Sequence, residues 1–305
     1  MKMSWKAELQ PRIKELRFTL WKIRKQPLGL AGLIIVFFYV VLAVVAPFIV
    51  APNYPNPLMI PKEVTREPLP PSKEHPFGTT GPPTYSDIYY GVVWGSRTSL
   101  MISITVMLVS FVIGLVLGIV AGYFGGKIET TIMRVTDIFF ALPGLVLTLV
   151  IISIIGKGII PVVTALSVRW WASYARLFRA EVLRIKERLF IEAAQAVGVS
   201  NTKIILKHII PNAISSGLIL ATLDFGSVVL VAASMGFLGL GLNPGTAEWG
   251  ILLAGSRDWI VAGKWWIPLY PGLAVTTFVL GWNLLGDSLR DLLDPRTRRL
   301  VEQKE

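Results

Sequence analysis

Five stretches of this 305-residue chain run for 19 residues or more with no charged side chain, or with a single one. They are Leu28–Val50, Thr98–Phe124, Ile138–Gly156 (broken by Pro143), Ile209–Ala247 (interrupted only by Asp224) and Trp265–Gly286. A hydrocarbon core of about 30 Å is crossed by about 20 apolar residues in a helix. Inside lipid every backbone N–H and C=O must be satisfied within the protein, which makes helix the structure for runs of this kind. A sixth, weaker stretch, Gly158–Ala175, carries Arg169. The expected fold class is therefore all-α: a polytopic membrane protein with six transmembrane helices. Charged residues make up 16% of the chain, against about 25% in soluble proteins.

Six crossings put both termini on one side of the membrane, and the placement of Lys and Arg says which. Segments 1–27, 125–137, 176–208 and 287–305 hold 22 of them, whereas 51–97, 157 and 241–264 hold 7. The positive-inside rule then makes both termini cytoplasmic. The formal net charge of +11 is accordingly a topology signal, and nucleic acid is not expected as a partner.

Between these runs the chain changes character. Residues 1–27 carry eight Lys/Arg with Trp5, Ile13, Leu16, Leu20 and Trp21 interspersed. That suits a cytoplasmic amphipathic segment on anionic membrane lipids, and a solvated tail fits the same composition. No small-residue cleavage site follows a short apolar core, so residues 28–50 read as the first transmembrane helix. Residues 51–97 hold ten of the 20 prolines and read as a Pro-rich extracytoplasmic loop of extended and turn structure. Residues 98–290 form a core of five helices, and 291–305 a cytoplasmic tail. Gly114, Gly118 and Gly122 repeat every four residues, a spacing that lets two helix backbones approach closely in lipid. Arg134 and Asp137 stand three apart and can pair on one helical face. Trp170, Trp171 and Tyr174 beside Arg169 read as an aromatic belt with a snorkelling arginine.

Catalytic constellations are absent. Gly126-Lys127 is followed by Ile128 and position 121 is Ala, so there is no P-loop to cradle nucleotide phosphates. Neither G-x-S-x-G nor H-E-x-x-H occurs. There is no cysteine, and His75 and His208 are too far apart for a metal-site argument. No catalytic residue, metal site or cofactor is expected in this chain. Asp224 is the one deep acid, and a carboxylate there costs about 2.5–3.5 kcal/mol to insert. It reads either as a wall of a translocation path or as a helix-interface contact, with Thr222 or Ser227 as partners nearby.

The basic segment Glu192–Asn212 is the candidate functional element. Glu192-Ala193-Ala194 favours helix, Gly198 can supply a left-handed residue, and Ser200 can cap a second short helix. Val199, Ile204, Ile205 and Ile209 then form an apolar stripe with Lys203 and Lys207 towards water. Pro211 stands where the next helix begins. On composition alone a plain cytoplasmic loop remains open.

The pattern Glu192-Ala193-Ala194, Gly198 and closing Ile210-Pro211 resembles the EAA loop of bacterial and archaeal ABC importer permeases. Lys207-His208-Ile209-Ile210-Pro211-Asn212 is similar to the form found in the dipeptide/oligopeptide branch. Gln26–Gly29, His75–Thr79, Ala121–Gly126, Phe237–Gly241, Trp249-Gly250, Asn283–Asp287 and Leu293–Arg296 extend the resemblance along nearly the whole chain. It is to the C-type permease subunit, partner of a longer B-type subunit. Thr80–Asp87 departs from the usual pattern of the outer loop.

The resemblance implies a type I ABC importer permease fold, with two permeases forming the path above two ABC ATPase subunits. An extracytoplasmic substrate-binding protein delivers solute, and ATP and Mg are held by the partner ATPases. It further implies that Glu192, Ala193, Ala194, Gly198, Ile210 and Pro211 shape the coupling element, flanked by Arg184, Lys186 and Arg188. Di- and oligopeptides are the implied solutes, with oligosaccharides as the alternative. An ATP-independent secondary transporter or channel is a different class, disfavoured by the scarcity of deep charge.

Overall fold

The computed structural model describes residues 26–62, 64–82 and 84–293. The amphipathic segment expected over residues 1–27 lies outside them except for its last two residues, as does the tail beyond 293. Among the described residues the regular structure is helical, with three isolated antiparallel bridges: Met59–Thr246, Lys62–Ser86 and Thr79–Asp87.

Helix α1, Pro27–Ile49, opens on Pro27, whose fixed φ suits a first helical position. It is apolar on every side, leaving Phe37, Phe38, Val44 and Phe48 exposed where lipid would lie. Its small face packs on α10, Trp266–Leu293. The Tyr39 hydroxyl donates to the Ala274 carbonyl at 3.0 Å, and a Cβ on Gly32 would fall 2.6 Å from the Leu285 nitrogen.

Helix α2, Ile88–Phe124, begins inside the region expected to be extended loop. Asp87 starts it by accepting from the Tyr90 N–H at 2.8 Å. The other Asp87 oxygen accepts from His75 Nδ1 at 2.8 Å, tying the proline-rich loop to this helix start. Its 37 residues give a length of about 55 Å, so one end projects beyond a hydrocarbon core.

The largest helix–helix interface among the described residues joins α2 to α5, Ile159–Lys186. Gly114, Gly118 and Gly122 form the seam. A Cβ on them would fall 2.2 Å from Tyr174 Cβ, 2.6 Å from the Ala175 oxygen and 2.8 Å from Val182 Cβ.

The break that Pro143 places in the third apolar run is present: α3, Gly126–Ala141, and α4, Gly144–Ile155, meet at 93°. Leu142 is extended, with φ −91° and ψ 135°, the conformation imposed on a residue preceding proline. The weak run 158–175 is part of a longer helix. α5 continues to Lys186 because Phe178, Val182 and Ile185 prolong its buried stripe past the first charges. Arg169 is therefore near mid-helix, and Trp170, Trp171 and Tyr174 are buried core residues and not an interfacial belt. Finally, Asp137 pairs across helices with Arg176 at 2.9 Å and not with Arg134. Arg179 with Glu129 makes a second cross-helix link between α3 and α5.

Helix α6, Leu189–Ala196, and the one-turn α7, Asn201–Ile204, follow on the basic side. A π-helical turn, Ile205–Ile209, leads without a break into α8, Ile210–Phe237. Short α9, Trp249–Ala254, then tucks against α8, where a Cβ on Gly250 would fall 2.1 Å from the Ala233 oxygen. Among the described residues four helices are long and apolar enough to cross a membrane, or five if the bent α3–α4 pair is one span.

Glu248 starts α9. It is buried, and its two carboxylate oxygens accept from the Gly250 N–H at 2.9 Å and the Ile251 N–H at 3.0 Å. Burial pushes its pKa up to about 7, with those two hydrogen bonds pulling the other way. A raised carboxyl favours the protonated folded form. Its stabilisation is complete below the ordinary value of 4.5 and is lost as pH rises through about 7.

Thermal melting of the detergent-solubilised protein should therefore show stability falling between roughly pH 4.5 and pH 7, by an amount on the order of 3 kcal/mol. Glu248→Gln should flatten that slope, and an unchanged slope in the variant would assign the pH dependence elsewhere. Gly118→Val should force α2 off α5 and cost about 1–3 kcal/mol, read as a lowered melting temperature. Gly272→Val, where an added Cβ would meet only Leu253 Cδ2 at an ordinary 3.9 Å, serves as the steric comparison.

Candidate functional site

The segment after α5 is built as a hard base with a soft tip. Ile191, Ile204 and Ile209 are buried and belong to the same core cluster as Tyr123, Phe178, Val182 and Ile185. Val199, Ile205 and Ile210 pack against that cluster, while Lys203 and Lys207 are exposed. Polar bonds fasten the base further. The Lys186 ammonium donates to the Tyr123 carbonyl at 2.8 Å, and the Tyr123 hydroxyl donates to Asn201 Oδ1 at 2.7 Å. The turn closing α2 is thereby joined to residues on both sides of α6.

Gly198 ends α6. The Val199 N–H donates to the Ala194 carbonyl at 3.0 Å, and the Gly198 N–H to the Gln195 carbonyl at 2.9 Å. This bond pair is the Schellman closure, with glycine at the left-handed position after the C-cap. Gly198 has φ +76°, where a side chain brings backbone strain. A Cβ there would meet no atom within 4 Å. The requirement for glycine within the chain is thus conformational, and the space beside it is open. Ser200 precedes α7 but makes no side-chain cap bond.

The tip is exposed and partly apolar. Leu189 is 82% exposed and Val197 80% exposed, and Glu192, Ala193 and Gly198 are exposed beside them. Ala194 is half-buried, joining tip to base. Ile210 is half-buried and Pro211 exposed at the entry to α8. The His208 ring lies 6.1 Å from that of Phe190, bridging α6 to the π-helical turn. Apolar side chains held out into water on a fixed base are the mark of a protein-docking surface.

A second polar site lies inside the bundle. The Tyr174 hydroxyl, fully buried, donates to Asp224 Oδ2 at 3.0 Å. Asp224 therefore finds its partner on α5, and neither Thr222 nor Ser227 supplies it; the Thr222 hydroxyl bonds back to Leu218 and Ile219 carbonyls. Arg169 comes within Coulombic reach of Asp224, one residue from Trp170 whose ring it covers at 3.9 Å. Sequence spacing cannot reveal a pairing across 50 residues. The available signal was the α5 periodicity, which turns Tyr174, Phe178 and Val182 to one side and so places Tyr174 towards its neighbours.

Residues 114–299 match the family described as binding-protein-dependent transport system inner membrane component. This chain belongs to that family. Residues 16–71 match the N-terminal TM domain of oligopeptide transport permease C. The chain is 36% identical over 279 residues to a dipeptide transport system permease protein of Alkalihalophilus pseudofirmus, covering 91% of this chain and 88% of that one. It is 32% identical to a probable D,D-dipeptide transport system permease protein of Escherichia coli K12, covering 93% and 94%. A glutathione transport system permease protein of Escherichia coli O6:K15:H31 is 38% identical over 75% of this chain and 74% of that one.

Membership makes this chain a membrane-embedded transport component and not an enzyme. A permease of a binding-protein-dependent system works with an ATPase, a solute-binding protein and a second permease. The lack of a P-loop in this chain fits that division of labour.

Proposed function

We propose that this chain is the C-type permease subunit of an ATP-driven importer of di- and oligopeptides, pairing with a B-type permease to form the translocation path. The observation that carries the reading is the cytoplasmic tip of α6: Leu189, Val197 and Gly198 stand exposed on a base anchored by three buried isoleucines. Glu192, Ala193, Ala194 and Gly198 form the coupling element that enters one of two ABC ATPase subunits. Ile210 and Pro211 set the start of the helix it drives. ATP and Mg belong to those ATPases. Six crossings, with α5 as one of them and both termini cytoplasmic, complete the topology and leave the proline-rich loop facing an extracytoplasmic binding protein.

Differential binding of ATP to the closed ATPase pair supplies the energy for alternating access. The tip has to transmit a displacement without yielding, which suits its anchoring on the main core cluster. The peptide class is supported by the relatives, named for dipeptide, D,D-dipeptide and glutathione transport. All three are short peptides or peptide-like solutes, and none of these names supports oligosaccharide.

Gly198→Leu should leave the protein in the membrane but uncouple it. In proteoliposomes holding the whole importer, peptide uptake should fall at least tenfold while ATPase activity loses its dependence on loaded binding protein. Wild-type uptake and coupling in that variant would remove Gly198 from the docking element. A wild-type importer that moves oligosaccharide and no peptide would overturn the substrate class.

A further inference from the structure

Arg169 and Asp224 are the charged side chains that the fold leaves deepest. Arg169 is about 15 Å along α5 from its start at Ile159, and Asp224 is about 20 Å from either end of α8. Both are half-buried, so each keeps an accessible side. They do not neutralise each other by contact: the ion pairs among the described residues are five, and neither residue is in them. The guanidinium makes no hydrogen bond among the described residues. It lies over the Trp170 ring and so close to α4 that a Cβ on Gly144 would fall 2.0 Å from its Nε. Gly144 opens α4 with no side-chain cap, so the guanidinium sits beside the positive end of a helix, which raises its demand for an anion. Asp224 spends one oxygen on the Tyr174 hydroxyl. The carboxylate is also hydrogen-bonded by Trp170, and Arg169 acts on it through space without touching it.

A cation and an anion at this depth that make no direct ion pair are too costly to face acyl chains, and such residues ordinarily face a bundle interior or a water-filled path. Separated charges of opposite sign, each on a half-exposed side chain, match a ligand carrying both charges. We infer that Arg169 and Asp224 form a transit site for zwitterionic short peptides, Arg169 meeting the terminal carboxylate and Asp224 the terminal ammonium. Trp170 and Tyr174 are positioning residues: the ring braces the guanidinium and the hydroxyl orients the carboxylate. One contact at each end is suited to transit, since a conducting site must release what it binds. The inference rests on the peptide reading above.

The test uses the complete importer in proteoliposomes with its binding protein and tri-alanine as the probe. Arg169→Gln and Asp224→Asn should each lower uptake about tenfold or more while ATPase stimulation by loaded binding protein stays within twofold of wild type. Arg169→Lys should recover much of the uptake. Because an altered charge can impair assembly, the wild-type complex is also labelled with a photoreactive tripeptide and the adducts mapped by mass spectrometry. Adducts within residues 166–174 and 220–228, competed by tri-alanine but not by its N-acetylated amide, support the site. Unchanged uptake in both variants, parallel loss of uptake and ATPase stimulation, or adducts confined to other segments would overturn it. A phospholipid or a carboxylate of the second permease found on Arg169 during labelling overturns it too. A wild-type importer that takes up no peptide refutes the peptide reading itself, whereas peptide uptake with indifferent variants refutes only the site.

Discussion

Backbone contact between α2 and α5 is the interaction on which the rest of the chain depends. Lipid tails are as apolar as leucine, so helices in a bilayer gain little by hiding apolar area from one another and rely on close packing. Three glycines four residues apart remove the side chains from one face of α2, and α5 lies against bare backbone there. The contact sets the height of α5, and with it two sites at different depths. Tyr174, held against Gly114, reaches Asp224. Lys186, a turn past Gly122's partner Val182, reaches back to the end of α2.

The same seam links the helix bundle to the exposed tip of α6. Tyr123 stands one residue after Gly122, and its hydroxyl holds Asn201 at the start of α7. The carbonyl of that tyrosine accepts from Lys186, just before α6. The exposed tip is thus suspended between two points fixed to one helix pair. Burial of Ile191, Ile204 and Ile209 leaves the base little freedom of its own. Motion at the tip is most directly accommodated by α5 and α8 moving with it. The π-helical turn at Ile205–Ile209 is a local departure from helical regularity on that connection, a feature that concentrates at functional positions in helices.

Much of this was legible in the residues. Lack of charge announced the long helices, and the four-residue glycine spacing announced a close helix contact, since both properties are local and one-dimensional. The left-handed Gly198 was visible for the same reason: its neighbours alone determine the bond pattern that needs it. What failed to show was amphipathic or non-local. α5 carries five Arg and Lys, so an uncharged-run criterion cut it at Ala175 and turned three core aromatics into an imagined surface belt. Asp137 took a partner 39 residues away over one three residues away, because the bend at Pro143 lays α3 across α5. Glu248 lies just past an apolar run, and nothing in its sequence neighbourhood distinguishes a buried helix cap from a solvated acid.

The two kinds of glycine in this chain separate folding from function in a way that bears on the coupling proposal. At Gly118 the obstacle to a side chain is a neighbouring backbone at 2.6 Å, so substitution acts on the bundle itself. At Gly198 the obstacle is φ alone, and space beyond is empty. Strain at one exposed left-handed residue costs on the order of 1 kcal/mol, an amount the buried base can absorb. Among the described residues no atom stands within 4 Å of a Cβ at Gly198. A limit on size at that position, found in the assembled transporter and absent from the isolated subunit, would come from another molecule. That makes residue 198 a place where sterics report on a partner surface, with the left-handed strain of a small substituent such as alanine supplying the baseline against which a larger one is read.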